Sequence, residues 1–131
     1  MKPLLFFFDI QKSKNIPTIL LCDLNDKEFS LTIDALSNSQ YHNSKNVEEF
    51  LLYDASYQYI SPPNHHPEKK EAQRKASSYF LGKGNVLDYV FISKHILKVT
   101  KYSVLDEHLK NNKDGSLLTS DHAQVVCELT L

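Results

Sequence analysis

Apolar residues along the chain fall into short runs that alternate with two kinds of period. A run from Leu4 to Phe8 opens a stretch that reads as a helix to about Lys14, closed by the polar turn Ser13-Lys14-Asn15. Ile16 to Cys22 (IPTILLC) is a continuous apolar run rich in branched residues, so it predicts a strand buried on both faces. Asp23 to Asp26 breaks that run with turn chemistry. Phe29, Ile33 and Leu36 then recur at helical spacing and predict a helix from about Lys27 to Ser37. Val47, Phe50, Leu51 and Asp54 repeat the helical period, with Asn46 placed to cap and Glu48 and Glu49 in the first turn.

The second half of the chain is written in strands. Ser61 to Lys75 carries prolines, His65, His66 and a charge run, and reads as a long surface loop with room for one helical turn. Val86 to Ser93 (VLDYVFIS) predicts a strand holding a single acid, Asp88. Val99 to Leu105 is a weaker strand candidate, Asn111 to Ser116 a turn around Gly115, and Gln124 to Leu131 a closing strand with apolar alternation. The expected class is mixed α/β.

Composition narrows the picture. The chain has 131 residues, with 41% hydrophobic and 24% charged, which suits one domain with a real core. Its formal net charge is -1, so bulk charge does not point to nucleic acid and any phosphate-bearing substrate must be read from local groups. Cys22 and Cys127 each sit in an apolar run and read as reduced, buried thiols of a cytoplasmic protein. The N-terminal apolar run ends at Asp9, too short for a signal peptide core or a membrane span.

Three stretches carry candidate chemistry. Asp23 and Asn25 follow a predicted strand and lie two apart, so in extended geometry both point to one side. Asp88 lies inside an apolar strand, where a carboxylate is costly without a partner, and a histidine is a natural one. Ser120-Asp121-His122 stands at the entrance to the last strand. Taken singly, each stretch is read as easily as a turn, a cap or a satisfied imidazole. The remaining features are weaker. His65-His66 lacks zinc-ligand spacing, Gly82-Lys83-Gly84 lacks the phosphate-loop pattern, and Cys22 reads as packing. Lys69, Lys70, Arg74 and Lys75 read as a solvated face that could also attract a polyanion.

In the order PTILLCDLND, NVLDYVFIS and LLTSDHAQVVCEL, the three stretches resemble the C-terminal half of the endonuclease/exonuclease/phosphatase family. Members carry a strand ending in Gly-Asp-Phe-Asn, a strand with Asp-Tyr, and Ser-Asp-His before the last strand. Here Cys22 replaces the Gly and Leu24 the Phe. The resemblance implies half of a four-layer α/β sandwich, a sheet with flanking helices, as a single partial domain over residues 1–131. It implies a metal-dependent phosphoesterase, a phosphodiesterase or nuclease using Mg²⁺ or Mn²⁺ on a phosphate-ester substrate such as nucleic acid.

By the same resemblance, Asp23 aligns the attacking water, Asn25 holds the phosphate, and Asp88 orients His122. The His122 imidazole then meets a phosphoryl oxygen, and Asp121 helps to place metal or substrate. The family's first half also supplies an Asn and a metal-binding Glu for which nothing before Asp23 here can stand. Asp9 and Glu28 lie in the wrong context. The expected chain is therefore incomplete on its own and has an exposed apolar sheet face suited to self-association or a partner chain. Two rivals stand beside this reading. One is a catalytically inactive, truncated relative acting as an interaction module, and the other a receiver-like domain in which Lys94 would be the later strand-end lysine.

Overall fold

The computed structural model describes residues 16–37, 51–60, 74–93, 97–110 and 120–131. Within them the chain is mixed, mostly strand, with antiparallel sheets and few helices. The expected helix over Leu4–Lys14, most of the 61–75 loop, His65-His66, Lys94 and the turn around Gly115 lie outside the described residues.

A three-stranded antiparallel sheet forms the centre. Strand β1 (Ile19–Asp23) and strand β2 (Leu52–Asp54) flank strand β5 (Asp88–Ser93). The register sets Asp23 opposite Asp88, Leu21 opposite Val90 and Ile19 opposite Ile92. Between β2 and β5 the chain adds helix α2 (Ala55–Ile60) and the hairpin of strands β3 (Ser78–Phe80) and β4 (Lys83–Asn85). Strand β6 (Lys98–Leu105), helix α3 (Glu107–Lys110) and strand β7 (Gln124–Thr130) follow, β6 and β7 pairing as a separate ribbon.

Strand alternation sorts β5 into two packing faces. Tyr89 and Phe91 point one way and join Ile33 and Leu36 of helix α1 (Leu31–Ser37), with Leu20, Cys22 and Leu24 alongside. Tyr89 and Phe91 stack with ring centroids 5.6 Å apart. Val90 and Ile92 point the other way and meet Tyr53, Leu97 and Val99, with Val125, Cys127 and Leu129 of the ribbon packed against them.

Three expectations are corrected. Of the helix expected through Asn46, Val47, Phe50, Leu51 and Asp54, residues 46–50 lie outside the described residues, and its end is a strand: Tyr53 and Asp54 of Leu52–Asp54 pair with Ile92 and Phe91, and a ladder to the central strand outweighs a local helical period. The helix expected from Lys27 begins at Leu31. Phe29 holds a left-handed φ of 63°, and Ser30 caps the helix by accepting from the Ile33 N–H at 3.4 Å. The strand at Ile16–Cys22 is not buried on both faces. Its ordered part, β1, lies at an edge, and Ile19 and Leu21 are 48% and 71% exposed.

Candidate functional site

The carboxyl end of β1 and the start of β5 meet at the Asp23–Asp88 pair. Directly opposed residues of an antiparallel pair share a face, so two carboxylates stand side by side there. Like charges in that position destabilise the pair unless a positive group lies between them. His122 supplies it. Its Nδ1 is 2.8 Å from Asp88 Oδ2, and its Nε2 lies 3.9 Å from Asp23 Oδ2 and 4.0 Å from Asp121 Oδ1. One nitrogen is thus bound to a partly buried acid while the other faces two exposed ones.

Backbone geometry fixes the parts. After Asp23 the chain does not stay extended. Asn25 takes a left-handed φ of 48° and donates its N–H to Asp23 Oδ1 at 2.8 Å, an Asx turn. The expectation that Asp23 and Asn25 project side by side from an extended strand is corrected accordingly: the turn places Asn25 beyond the strand end. The Leu24 N–H donates to the Leu87 carbonyl at 3.0 Å, which ties this turn to the entrance of β5. His122 is held from below: its N–H donates to Ser120 Oγ at 3.0 Å, and Ser78 of β3 bridges to it.

Ser77 joins the two sides and was not singled out from sequence. Its buried hydroxyl accepts from the N–H groups of Leu87 at 3.0 Å and Asp88 at 3.1 Å. Its carbonyl accepts from the Ala123 N–H at 2.7 Å. One side chain therefore positions Asp88 while its own backbone positions the residue after His122. A lone serine in ASSYF has no spacing that marks it.

Arg74 is the second residue missed, and the reading of a solvated face around it is corrected. Its side chain is only 3% exposed and its Nη1 is 2.8 Å from Asp54 Oδ2. Nη2 donates to Tyr102 Oη at 3.0 Å and reaches the Asp88 carbonyl at 3.5 Å, while Nε lies 3.6 Å from Glu28. The guanidinium also sits 4.9 Å from the centre of the Tyr89 ring. Charge alone made Arg74 look like surface; only the tertiary pairing with Asp54 brings it inside. Lys75 stays 43% exposed but pairs with the buried Asp106 at 2.7 Å.

Electrostatics follow from these contacts. Burial pushes the His122 pKa down, but the hydrogen bond and charge of Asp88, with Asp23 and Asp121, outweigh it and leave it raised above its ordinary 6.5. Cys22 and Cys127 are free and half-buried, and burial raises each thiol to about 11. Both are therefore protonated and unreactive at neutral pH, in keeping with a packing role.

Among the described residues, the same point gathers groups of the kind that can hold a metal ion. Asp23, Asp88 and His122 each offer a ligand atom, all within 4.8 Å of one another. Among the described residues, no helix is long and apolar enough to cross a membrane. Comparison with protein-family models and with curated proteins finds no match.

Proposed function

We propose that this chain is a metal-dependent phosphoesterase of the phosphodiesterase or nuclease type, built like the C-terminal half of an endonuclease/exonuclease/phosphatase sandwich. One observation carries the reading: a carboxylate-bound imidazole whose free nitrogen faces two further carboxylates. In this reading Asp88 fixes the tautomer of His122 and favours the imidazolium. Nε2 then donates a hydrogen bond, and finally a proton, to a phosphoryl or leaving-group oxygen as negative charge develops there.

Asp23 orients the attacking water, and Asn25, on the turn that Asp23 closes, contacts a phosphate oxygen. The exposed oxygen donors Asp23 and Asp121 suit a hard cation, since Asp88 is already engaged with His122. Mg²⁺ or Mn²⁺ held there would offset phosphoryl charge as a Lewis acid. Glu28 does not join this set, because it accepts from Tyr57 Oη at 2.6 Å and faces Arg74. Turnover by the isolated chain is therefore expected to be slow. A cytoplasmic location and a phosphate-ester substrate, nucleic acid among the candidates, belong to the same reading.

The test is hydrolysis of a chromogenic phosphodiester with Mg²⁺ or Mn²⁺. His122→Ala should lower the rate by about 10²- to 10⁴-fold. Asp23→Ala should lower it as well, and equal rates in the wild type and both variants would remove the assignment.

A second reading has its own observation. Ile19 and Leu21 remain exposed on the sheet face whose Val90 and Ile92 are covered, so this face would serve an interaction module that self-associates. Concentration-dependent sedimentation that Leu21→Lys abolishes would favour it.

A further inference from the structure

Strand β3 holds the two neighbours of His122 and leaves the peptide groups of His122 itself to other partners. The Tyr79 N–H donates to the Asp121 carbonyl at 3.0 Å, and the Ala123 N–H donates to the Ser77 carbonyl at 2.7 Å. These two bonds flank the Ser78–His122 bridge, which makes it a non-hydrogen-bonded antiparallel pair. In such a pair the N–H and C=O of the bridged residue point away from the facing strand. The His122 N–H turns back to Ser120 Oγ at 3.0 Å. Its carbonyl meets His108 Nε2 at 3.1 Å.

A carbonyl oxygen can only accept, so the proton of that bond sits on His108 Nε2. The neutral ring is therefore the Nε2–H tautomer, and the imidazolium donates from the same atom. His108 itself is exposed, but the backbone that carries it is anchored inside. It is the second residue of helix α3, and Asp106, just before that helix, is fully buried. Lys75 Nζ lies 2.7 Å from the Asp106 carboxylate and donates to the Val104 carbonyl at 2.8 Å. The Leu109 N–H donates to the Asp106 carbonyl at 3.0 Å. A single helical turn has little stability of its own, so these bonds fix where α3 starts and hence where His108 stands.

We infer that His108 is a positioning residue for His122: it holds the peptide on the side that β3 does not bond and so keeps the imidazole against Asp88. With the backbone held, Nδ1 stays 2.8 Å from Asp88 Oδ2 and Nε2 stays turned toward Asp23 and Asp121. Released, the peptide can rotate and carry the ring with it, and a site of this kind works only when its groups are held to within about 0.5 Å. His108 acts through His122 alone. Its effect on turnover rests on the phosphoesterase reading; its hold on the ring does not.

Proton NMR of the metal-free full chain and of its His108→Ala and His108→Gln variants tests this. The His122 Nδ1–H, bonded to a carboxylate, should give a downfield resonance in the wild type that His122→Ala removes. His108→Ala should broaden or abolish that resonance through exchange with water. His108→Gln should restore it, because the Gln carboxamide nitrogen reaches the place of Nε2. The amide spectrum should stay dispersed in both variants, so that the resonance reads the ring and not the fold. In hydrolysis of a chromogenic phosphodiester with Mg²⁺, His108→Ala should lower kcat by about 10- to 10²-fold with KM little changed, and His108→Gln should recover most of the loss. A resonance missing from the wild type, or unchanged in His108→Ala, overturns the inference. So does a loss that His108→Gln fails to restore, which would assign the effect to α3 as a whole. A wild type whose resonance depends on His108 but which hydrolyses nothing removes the phosphoesterase reading and leaves His108 in its role.

Discussion

His122 divides its two nitrogens between two tasks. Nδ1 is committed to Asp88 at 2.8 Å, which leaves Nε2 as the only ring position able to meet a substrate. Replacing Asp88 by Asn removes both the carboxylate hydrogen bond and its charge, so the raised pKa of His122 should fall. A histidine C2–H NMR titration reads this directly, and an unchanged midpoint would mean that Asp88 does not govern the imidazole.

The sign for stability follows from linkage. A histidine whose folded pKa is raised contributes stability that is fully present below its unfolded value, near 6.5, and is lost as pH rises through the folded value. Wild type should therefore lose stability over that window, and Asp88→Asn should flatten the slope. Ser77→Ala acts on the same pair from behind. It strips the shared acceptor from the Leu87 and Asp88 N–H groups in a buried place, at a cost of about 2 kcal/mol in urea unfolding. At this scale Asp23, Asp88 and His122 were ambiguous one by one and were joined in the sequence only by the order of their three motifs; the structure brings their side chains within 4.8 Å of one another. Ser77 was not legible, since small polar residues occur everywhere and its importance comes from three backbone partners distant in sequence.

At the scale of elements, strands were easier to read than their edges. The runs around Val90 and Val126 named β5 and β7 correctly, because an apolar or alternating run keeps its meaning wherever the strand lies. Whether a strand is central or at the edge depends on its neighbours, so the run at Ile19 looked doubly buried and is not. Likewise the helical period read through Leu51 and Asp54 yields, over Leu52–Asp54, to the pairing of Tyr53 with Ile92 and Asp54 with Phe91. The hairpin that supports His122 offers a test of how much one element matters. Gly84→Ala would press a methyl to 2.8 Å from the Ala76 Cβ, and overpacking of this kind costs about 1–3 kcal/mol. If the hairpin carries His122, hydrogen exchange at the Tyr79 amide should quicken and the raised pKa of His122 should fall together. Faster exchange alone would separate the hairpin from the site.

On the scale of the whole molecule, Arg74 links parts that the sequence keeps far apart. Its guanidinium touches Asp54 at the end of β2, Tyr102 of β6 and the carbonyl of Asp88 in β5, beneath the Tyr57 and Tyr89 rings. The Asp54 carboxylate also accepts from the N–H and hydroxyl of Ser56, so removing Arg74 would take away a cation at 2.8 Å while these neutral donors stay. Arg74→Met should therefore destabilise the chain by about 3–5 kcal/mol, the range expected when one member of a buried pair is deleted. The charge, not the volume, is the expected cause. Adding Asp54→Asn to Arg74→Met should recover much of the loss, because the double variant buries neither charge, whereas a packing defect would remain or grow. Equilibrium urea unfolding of the single and double variants separates the two explanations. Recovery would make Arg74 the electrostatic tie between the central sheet and the ribbon behind His122. A double variant no more stable than Arg74→Met would instead assign that role to the tyrosine rings packed around it.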